Sequence, residues 1–384
     1  MTRHFDVIVI GAGPAGCAAA LTAVRRGLKT VLVDKATFPR EKLCGGGLTG
    51  RAVMALRDIF GTHAMAPMLR RSDIAFHAFG ADLGTDRDAP PLHLAMRHSL
   101  DHALLTEAVN AGAENLTGVR VDGIGEAQDG AACVTIAGAT LCAPVIIGCD
   151  GVNSMVARML YGQAFDRKSI GFALEIEVPG DADDVPLRID FGAAEWGYGW
   201  QFPKTCGTTI GVGGVMACNP DMKARLSAYR EALGFGGDAP VKGQFLPFGH
   251  FRRIPGTGRV LLAGDAAGLV DPITGEGIAH ALRSGQAAAD ATADALDAGR
   301  PEAALARYRA AIRPIHRGLR HAGLLRHLLF REQLRPVFIR RFRESRTLRR
   351  DYLRLLAGET EYDAIMRKMA VRVPGMALRA VTGH

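Results

Sequence analysis

Phe5-Asp6-Val7-Ile8-Val9-Ile10-Gly11-Ala12-Gly13-Pro14-Ala15-Gly16 is the stretch whose reading decides the fold. Its first half is a short, unbroken apolar run, the pattern of a parallel strand buried on both faces. Glycines follow at once, and an alanine-rich helix is expected over Ala15–Arg26. Thr30-Val31-Leu32-Val33 repeats the buried-strand pattern and ends on Asp34, 18 residues past Gly16. Strand, Gly-x-Gly-x-x-Gly, helix, strand and a terminal acid together predict a βαβ unit for a dinucleotide. Gly11 allows the tight turn, Gly13 lets backbone approach a pyrophosphate, and Gly16 lets helix and strand pack closely. The helix start, with Pro14 at its head, offers the free N–H groups of Ala15 and its successors and a partial positive charge to the phosphates. Asp34 is suited to a ribose, with Lys35 beside it.

Two later strands repeat the buried type. Val145–Gly148 leads into Cys149-Asp150-Gly151, and Arg259–Ala263 leads into Gly264-Asp265-Ala266-Ala267-Gly268. Each puts a carboxylate at the C-terminal edge of a parallel strand, where open α/β sheets bind their ligands. With these motifs the chain resembles the glutathione-reductase-like flavoproteins. The resemblance implies FAD as cofactor and a contact between Asp265 and its ribityl chain. Pro272-Ile273-Thr274-Gly275-Glu276-Gly277 then opens a long helix from Gly277 and Ile278 to about Leu296. The positive end of that helix suits the flavin edge where negative charge collects on reduction.

Phe38-Pro39-Arg40-Glu41-Lys42-Leu43-Cys44-Gly45-Gly46-Gly47-Leu48 carries a narrower resemblance, as does Tyr198-Gly199-Trp200-Gln201-Phe202-Pro203-Lys204 followed by Gly211-Val212-Gly213. Both are similar to motifs of the geranylgeranyl reductase family. Arg97 and Asp101 match the helix start that contacts FAD in that family. Val121 joins the cofactor-binding set. Asp34 departs from the family's usual glutamate, and no motif is matched after about residue 300. Cys44, Gly45, Gly46, Tyr198 and Trp200 are the candidate catalytic residues, with Arg40, Cys44 and Gly45 also near the cofactor. Tyr198, Trp200 and Phe202 alternate along one strand, so all three project from one face. Such a face suits either an apolar channel or plain core packing. Cys44 suits a proton donor, a pocket wall or an inert thiol.

A flavin alone does not fix the reaction. The resemblance implies hydride transfer to the double bonds of a geranylgeranyl-type isoprenoid chain, a place in lipid metabolism. A monooxygenase-like or halogenase reaction on an aromatic or apolar molecule is the alternative. It rests on Trp196-Gly197-Tyr198-Gly199-Trp200-Gln201-Phe202-Pro203, which faintly resembles a halogenase motif. A second Gly-x-Gly-x-x-Gly is missing, so NAD(P)H (NADPH or NADH) would bind transiently. A ferredoxin-type donor is the other candidate.

The whole chain, 384 residues, is long enough for two domains, and 48% hydrophobic residues suffice for a large core. The expected fold class is α/β: a Rossmann-type FAD-binding domain over 1–65, 92–165 and 250–300, a β-rich substrate domain over 66–91 and 166–249, and a helical region over 301–384. Residues 170–215 should form a mostly antiparallel sheet. No run of about 18 apolar residues suggests a transmembrane helix. The early first strand leaves no room for a signal peptide, so a cytoplasmic protein is expected. Seven scattered cysteines have no metal-ligand spacing, no metal is expected, and most should be free, buried thiols.

The net charge of +8 comes from one segment: 307–354 holds fifteen Arg and three acids, +12 locally, so the rest sums to about −4. Arg313, Arg317 and Arg320 share a helical face, and Leu324, Leu325, Leu328, Leu329 and Phe330 form an expected apolar patch. Peripheral contact with an anionic membrane, docking of an acidic donor, a phosphate site and a solvated helical face all fit this pattern. Nucleic acid does not, because no recognition motif accompanies the charge.

Overall fold

The computed structural model describes residues 2–62, 68–127, 130–237 and 239–369. At its centre is a six-stranded sheet in the spatial order Gly256–Thr257, Val260–Leu262, Val145–Gly148, Val7–Ile10, Thr30–Asp34, Glu114–Thr117. All pairings are parallel except the edge pair Gly256–Thr257 with Val260–Leu262. The inner strands carry Val, Ile and Leu on both faces because helices cover one side and a second sheet the other. Helices Pro14–Arg25, Arg97–Asn110 and Ile278–Asp297 form the helical layer. They meet through small residues: a Cβ on Gly285 would collide with the carbonyl oxygen of Ala15.

The covering sheet runs Thr2–His4, Ala139–Ala143, Ala132–Ile136, Val121–Glu126. Here the sequence expectation for cysteine is corrected. Cys133 and Cys142 are direct partners on neighbouring antiparallel strands and are joined as a disulfide. The spacing of nine residues does not reveal this, because only the strand register brings the two together. Cys206 and Cys218 are free but exposed, leaving Cys17 and Cys149 as the buried thiols.

A seven-stranded sheet lies beside this assembly, in the order Lys242–Leu246, Gly171–Pro179, Gly207–Val215, Tyr198–Lys204, Leu187–Phe191, Ile74–Ala78, Ala81–Asp86. It is antiparallel apart from Leu187–Phe191 with Ile74–Ala78. The helix Met222–Ala232 covers one face through Leu226 and Tyr229, which meet Leu174, Ile176 and Val212. The C-terminal helices cover the other, where Phe342 and Tyr352 make edge contacts with Phe76 and Phe191. The region after residue 300 thus shares a core with the sheet that carries Tyr198 and Trp200.

The apolar patch expected at residues 324–330 divides. Leu329 and Phe330 are buried in that core, whereas Leu324 and Leu328 are 61% and 45% exposed. Among the described residues no helix is long and apolar enough to cross a membrane.

Candidate functional site

The turn after Val7–Ile10 is built by steric necessity. Gly11 has φ +104°, and a Cβ there would strike the carbonyl oxygen of Cys149. A Cβ on Gly16 would collide with the carbonyl oxygen of Gly11. Gly13 differs, because the nearest atom to its Cβ position is Nη2 of Arg40 at 3.6 Å, so its side is open. Pro14 occupies the first helical position, and no side chain caps the helix. Its first N–H groups therefore face that open side with no side-chain acceptor. Asp34 fixes the turn: Oδ2 accepts from the Ala12 N–H at 2.7 Å and Oδ1 from the Ala36 N–H at 2.8 Å. Lys35 is exposed.

A basic group stands over this turn. Arg97, the first residue of its helix, donates from Nε and Nη2 to the fully buried Asp101, both at 2.7 Å. Arg40 joins the same carboxylate at 3.1 Å. Buried charges persist only when paired. Asp101 and its bonds hold the Arg97 guanidinium charged against its burial. Lys42 lies close by, its pKa lowered by burial and raised by Asp265.

The Asp265 carbonyl accepts from the Gly268 N–H at 3.0 Å, but its carboxylate has no hydrogen-bond partner among the described residues. Its Oδ1 is 3.4 Å from where a Cβ on Gly277 would be, at the uncapped start of the helix Ile278–Asp297. Gly264 precedes it with φ +59°, its N–H held by Oγ of Ser284 at 2.9 Å. Open glycine, uncapped helix starts, unpartnered carboxylate and nearby cations supply the donors and acceptors that FAD's phosphates and ribityl hydroxyls require. The residues fit the cofactor.

Asp150 has a structural duty the motif did not suggest. It accepts from Ser154 Oγ at 2.5 Å and from the N–H groups of Met155 and Val156, closing the start of the helix Met155–Tyr161. Val121 begins a strand of the covering sheet and packs in the core with Val31 and Val33.

The loop Cys44–Gly47 crosses between the two large sheets. Gly46 has φ +74°, and its Cβ would strike the carbonyl oxygen of Ala95. A Cβ on Gly45 would lie 3.0 Å from Trp200 Nε1 and 3.1 Å from the Phe202 ring. Phe202 also faces Gly47 at 3.0 Å from its Cβ position. The alternating aromatics do share a face, and the loop packs against it. The Tyr198 ring lies tilted against Trp200, centroids 5.8 Å apart, and its hydroxyl donates to the Thr274 carbonyl at 2.8 Å, beside Gly275. Burial pushes the Tyr198 phenol well up, so it stays neutral.

Glu175 completes this wall and was not singled out from sequence. Its Oε1 accepts the Cys44 N–H at 3.0 Å, while Oε2 is buried with no partner. Glu175 and Trp200 both pair with Gly211 in the sheet, so they share a face across a residue without a side chain. Trp200 Nε1 is likewise buried and unpartnered. Burial raises the Glu175 carboxyl to about 7; Lys204 opposes that shift and Glu177 adds to it. Lys204 is itself paired to Glu177 at 3.3 Å. In sequence, Ala173-Leu174-Glu175-Ile176-Glu177 reads as a strand with its acids toward water; only the arrival of the Cys44 loop covers that face. Glu276 is a second such carboxyl, held by Thr49 and by Arg51 at 3.6 Å, and raised to about 7 mainly by burial.

The profile described as FAD binding domain matches residues 4–189. Menaquinone reductase of Mycolicibacterium smegmatis is 34% identical over 76% of this chain and 76% of its own length. Geranylgeranyl diphosphate reductase of Rhodobacter capsulatus is 29% identical over 77% of each chain. This chain belongs to the geranylgeranyl reductase family of FAD-dependent oxidoreductases. Among solved structures, a geranylgeranyl bacteriochlorophyll reductase-like protein of Thermoplasma acidophilum superposes with a TM-score of 0.80 at 22% identity, covering 96% of this chain and 99% of that one. A flavin-dependent brominase reaches 0.72 at 20% identity, covering 97% and 100%, and shares the fold. The enzyme is thus an FAD-dependent oxidoreductase.

Proposed function

We propose that the enzyme saturates carbon–carbon double bonds of an isoprenoid chain. The observation that carries this reading is an aromatic wall packed on the glycine loop, with a buried proton-holding carboxyl beside it. Trp200 and Phe202 close on Gly45 and Gly47, and the buried carboxyl of Glu175, raised to about 7, stands against the same loop. Saturating an alkene needs a hydride at one carbon and a proton at its neighbour. Reduced FAD supplies the hydride when bound. Glu175 holds a proton near neutrality because its charged form is desolvated. Its bond from Cys44 aims it at the loop, and Gly45 and Gly46 keep that loop thin enough for close approach. The aromatic face excludes water and receives an apolar chain. Relatives named for menaquinone and for geranylgeranyl diphosphate are named for molecules that carry such a chain.

In this reading Gly11, Gly13, Pro14, Ala15, Gly16, Asp34, Arg40, Arg97, Asp265, Gly275, Gly277 and Ile278 hold the cofactor, drawn from segments 1–65, 92–165 and 250–300. The electron donor is NAD(P)H or a ferredoxin-type protein. Incubation of the reduced enzyme with geranylgeranyl diphosphate, and separately with menaquinone, tests the reading by product mass. A gain of two hydrogens per saturated bond supports it. Incorporation of oxygen or halide instead would replace it with the monooxygenase or halogenase reaction.

A further inference from the structure

Two connected clefts lie away from the Cys44 loop. The first, about 620 Å³, is walled by Phe251, Arg253, Arg309, Arg313, His316 and Arg320. The second, about 440 Å³, shares Phe251, Arg253 and Arg320 with it. It runs past Phe248, Trp196 and Arg326 to Gly268 and Pro272, the segment that follows Asp265. Among the described residues no Asp or Glu lines either cleft. Arg253, Arg309, Arg313 and Arg320 form no ion pair among the described residues. Other arginines of the basic segment are paired: Arg335 to Glu195 at 2.6 Å, Arg349 to Asp86 at 3.5 Å, Arg354 to Glu359 at 3.3 Å, and Arg317 to Asp363. Arg309, Arg313 and Arg320 of the basic segment meet Arg253 in one place.

Two buried side chains indicate what they face. His316 is 8% exposed, its ring lies 4.7 Å from that of Phe251, and its Nε2 has no partner. Burial together with Arg320 and Arg309 lowers its pKa to about 4, so it is neutral at pH 7. Arg326 is also 8% exposed, between Phe248 at 5.1 Å and Trp196 at 5.5 Å. It donates to the Trp196 carbonyl at 2.8 Å, but its Nε is unpartnered and no carboxylate of the described residues pairs with it. A buried guanidinium without a counter-charge is costly, and gathering four like charges in the adjoining cleft is unfavourable too. A dianionic or trianionic ligand relieves both, and guanidinium forks match phosphate oxygens.

We propose that the two clefts form one binding site for a phosphate or diphosphate ester. The anion lies among Arg253, Arg309, Arg313 and Arg320, and the rest of the ligand extends along the aromatic groove toward Pro272. Two sources share this chemistry: the head of an elongated substrate, and the phosphates of a nucleotide donor. The site does not depend on the reaction proposed above, and its test needs no turnover.

Inorganic pyrophosphate is titrated by calorimetry into the flavin-loaded enzyme at low and high salt. Saturable binding that weakens with salt is expected. Arg313→Gln and Arg320→Gln should each weaken it about tenfold, while Arg350→Gln, on an exposed residue outside the clefts, should not. Geranylgeranyl diphosphate binding more tightly than geranylgeraniol, with the same variant dependence, assigns the anion to a substrate head. NADPH binding that shows this dependence assigns it to a nucleotide. Absence of pyrophosphate binding, or equal affinity in all variants, overturns the proposal. So does a variant effect confined to association with anionic phospholipid vesicles.

Discussion

The Cys44 N–H donates to Oε1 of Glu175 at 3.0 Å, a bond between residues 131 apart that fixes the glycine loop on the aromatic face of the seven-stranded sheet. It leaves Oε2 buried and free of any protein partner. A carboxyl so placed is either a proton carrier or an uncompensated cost, and its response to pH tells which.

Glu175→Gln keeps the acceptor for Cys44 but removes the titration. Activity of the wild type should fall as pH rises through about 7, and the variant should be slow at every pH. The stability effect has a definite sign. The folded pKa of Glu175 is raised, so its stabilising contribution is complete below the unfolded value and disappears as pH rises through about 7. At pH 8 the variant should gain on the wild type by about 2–3 kcal/mol relative to pH 4, read from denaturant unfolding at both pH values. An unchanged difference between the two pH values would show that Glu175 does not titrate in this range.

Cys44→Ser separates the thiol from the loop. The Cys44 backbone bond to Glu175 survives, so flavin content should be unchanged. Turnover should drop by about tenfold or more if the thiol takes part in the chemistry. Equal turnover would confine Cys44 to positioning through its N–H.

The glycines of the first turn should divide in their behaviour. Gly16→Val drives its side chain into the Gly11 carbonyl and should abolish folding. Gly13→Val meets only Arg40 and should fold, shown by an unaltered circular dichroism spectrum, yet purify colourless. A yellow Gly13→Val protein would contradict the assignment of the cofactor to that side.

Tyr198→Phe loses its bond to the Thr274 carbonyl while keeping the ring against Trp200. About 1 kcal/mol of stability should be lost in denaturant titration. Turnover should fall more than flavin binding, because the anchored loop precedes Gly275.

The sequence was most legible where geometry is local. Val7–Ile10, Gly11–Gly16 and Thr30–Asp34 form their βαβ unit within thirty residues; Gly11 and Gly16 meet the backbone their positions imply, and Gly13 leaves its side open. The period of two from Tyr198 to Phe202 likewise announced a shared face. What stayed hidden depends on distant partners. Glu175 reads as a solvent-facing acid until the Cys44 loop covers it. Cys133 and Cys142 pair only through register. Asp150, at the end of a motif strand, caps the next helix because Ser154 and the N–H groups of Met155 and Val156 turn back onto it. The basic segment reads as one charged stretch; folding pairs some of its arginines, such as Arg335 and Arg349, and brings Arg309, Arg313 and Arg320 to one cleft.

The most direct test of double-bond reduction is anaerobic. The flavin of the purified enzyme is reduced with dithionite, the excess reductant is removed, geranylgeranyl diphosphate or menaquinone is added, and the flavin absorbance is followed. Reoxidation without oxygen, matched by hydrogenated product, is the predicted result. Flavin that stays reduced with both substrates, but reoxidises rapidly in air in response to an added aromatic compound, would contradict it.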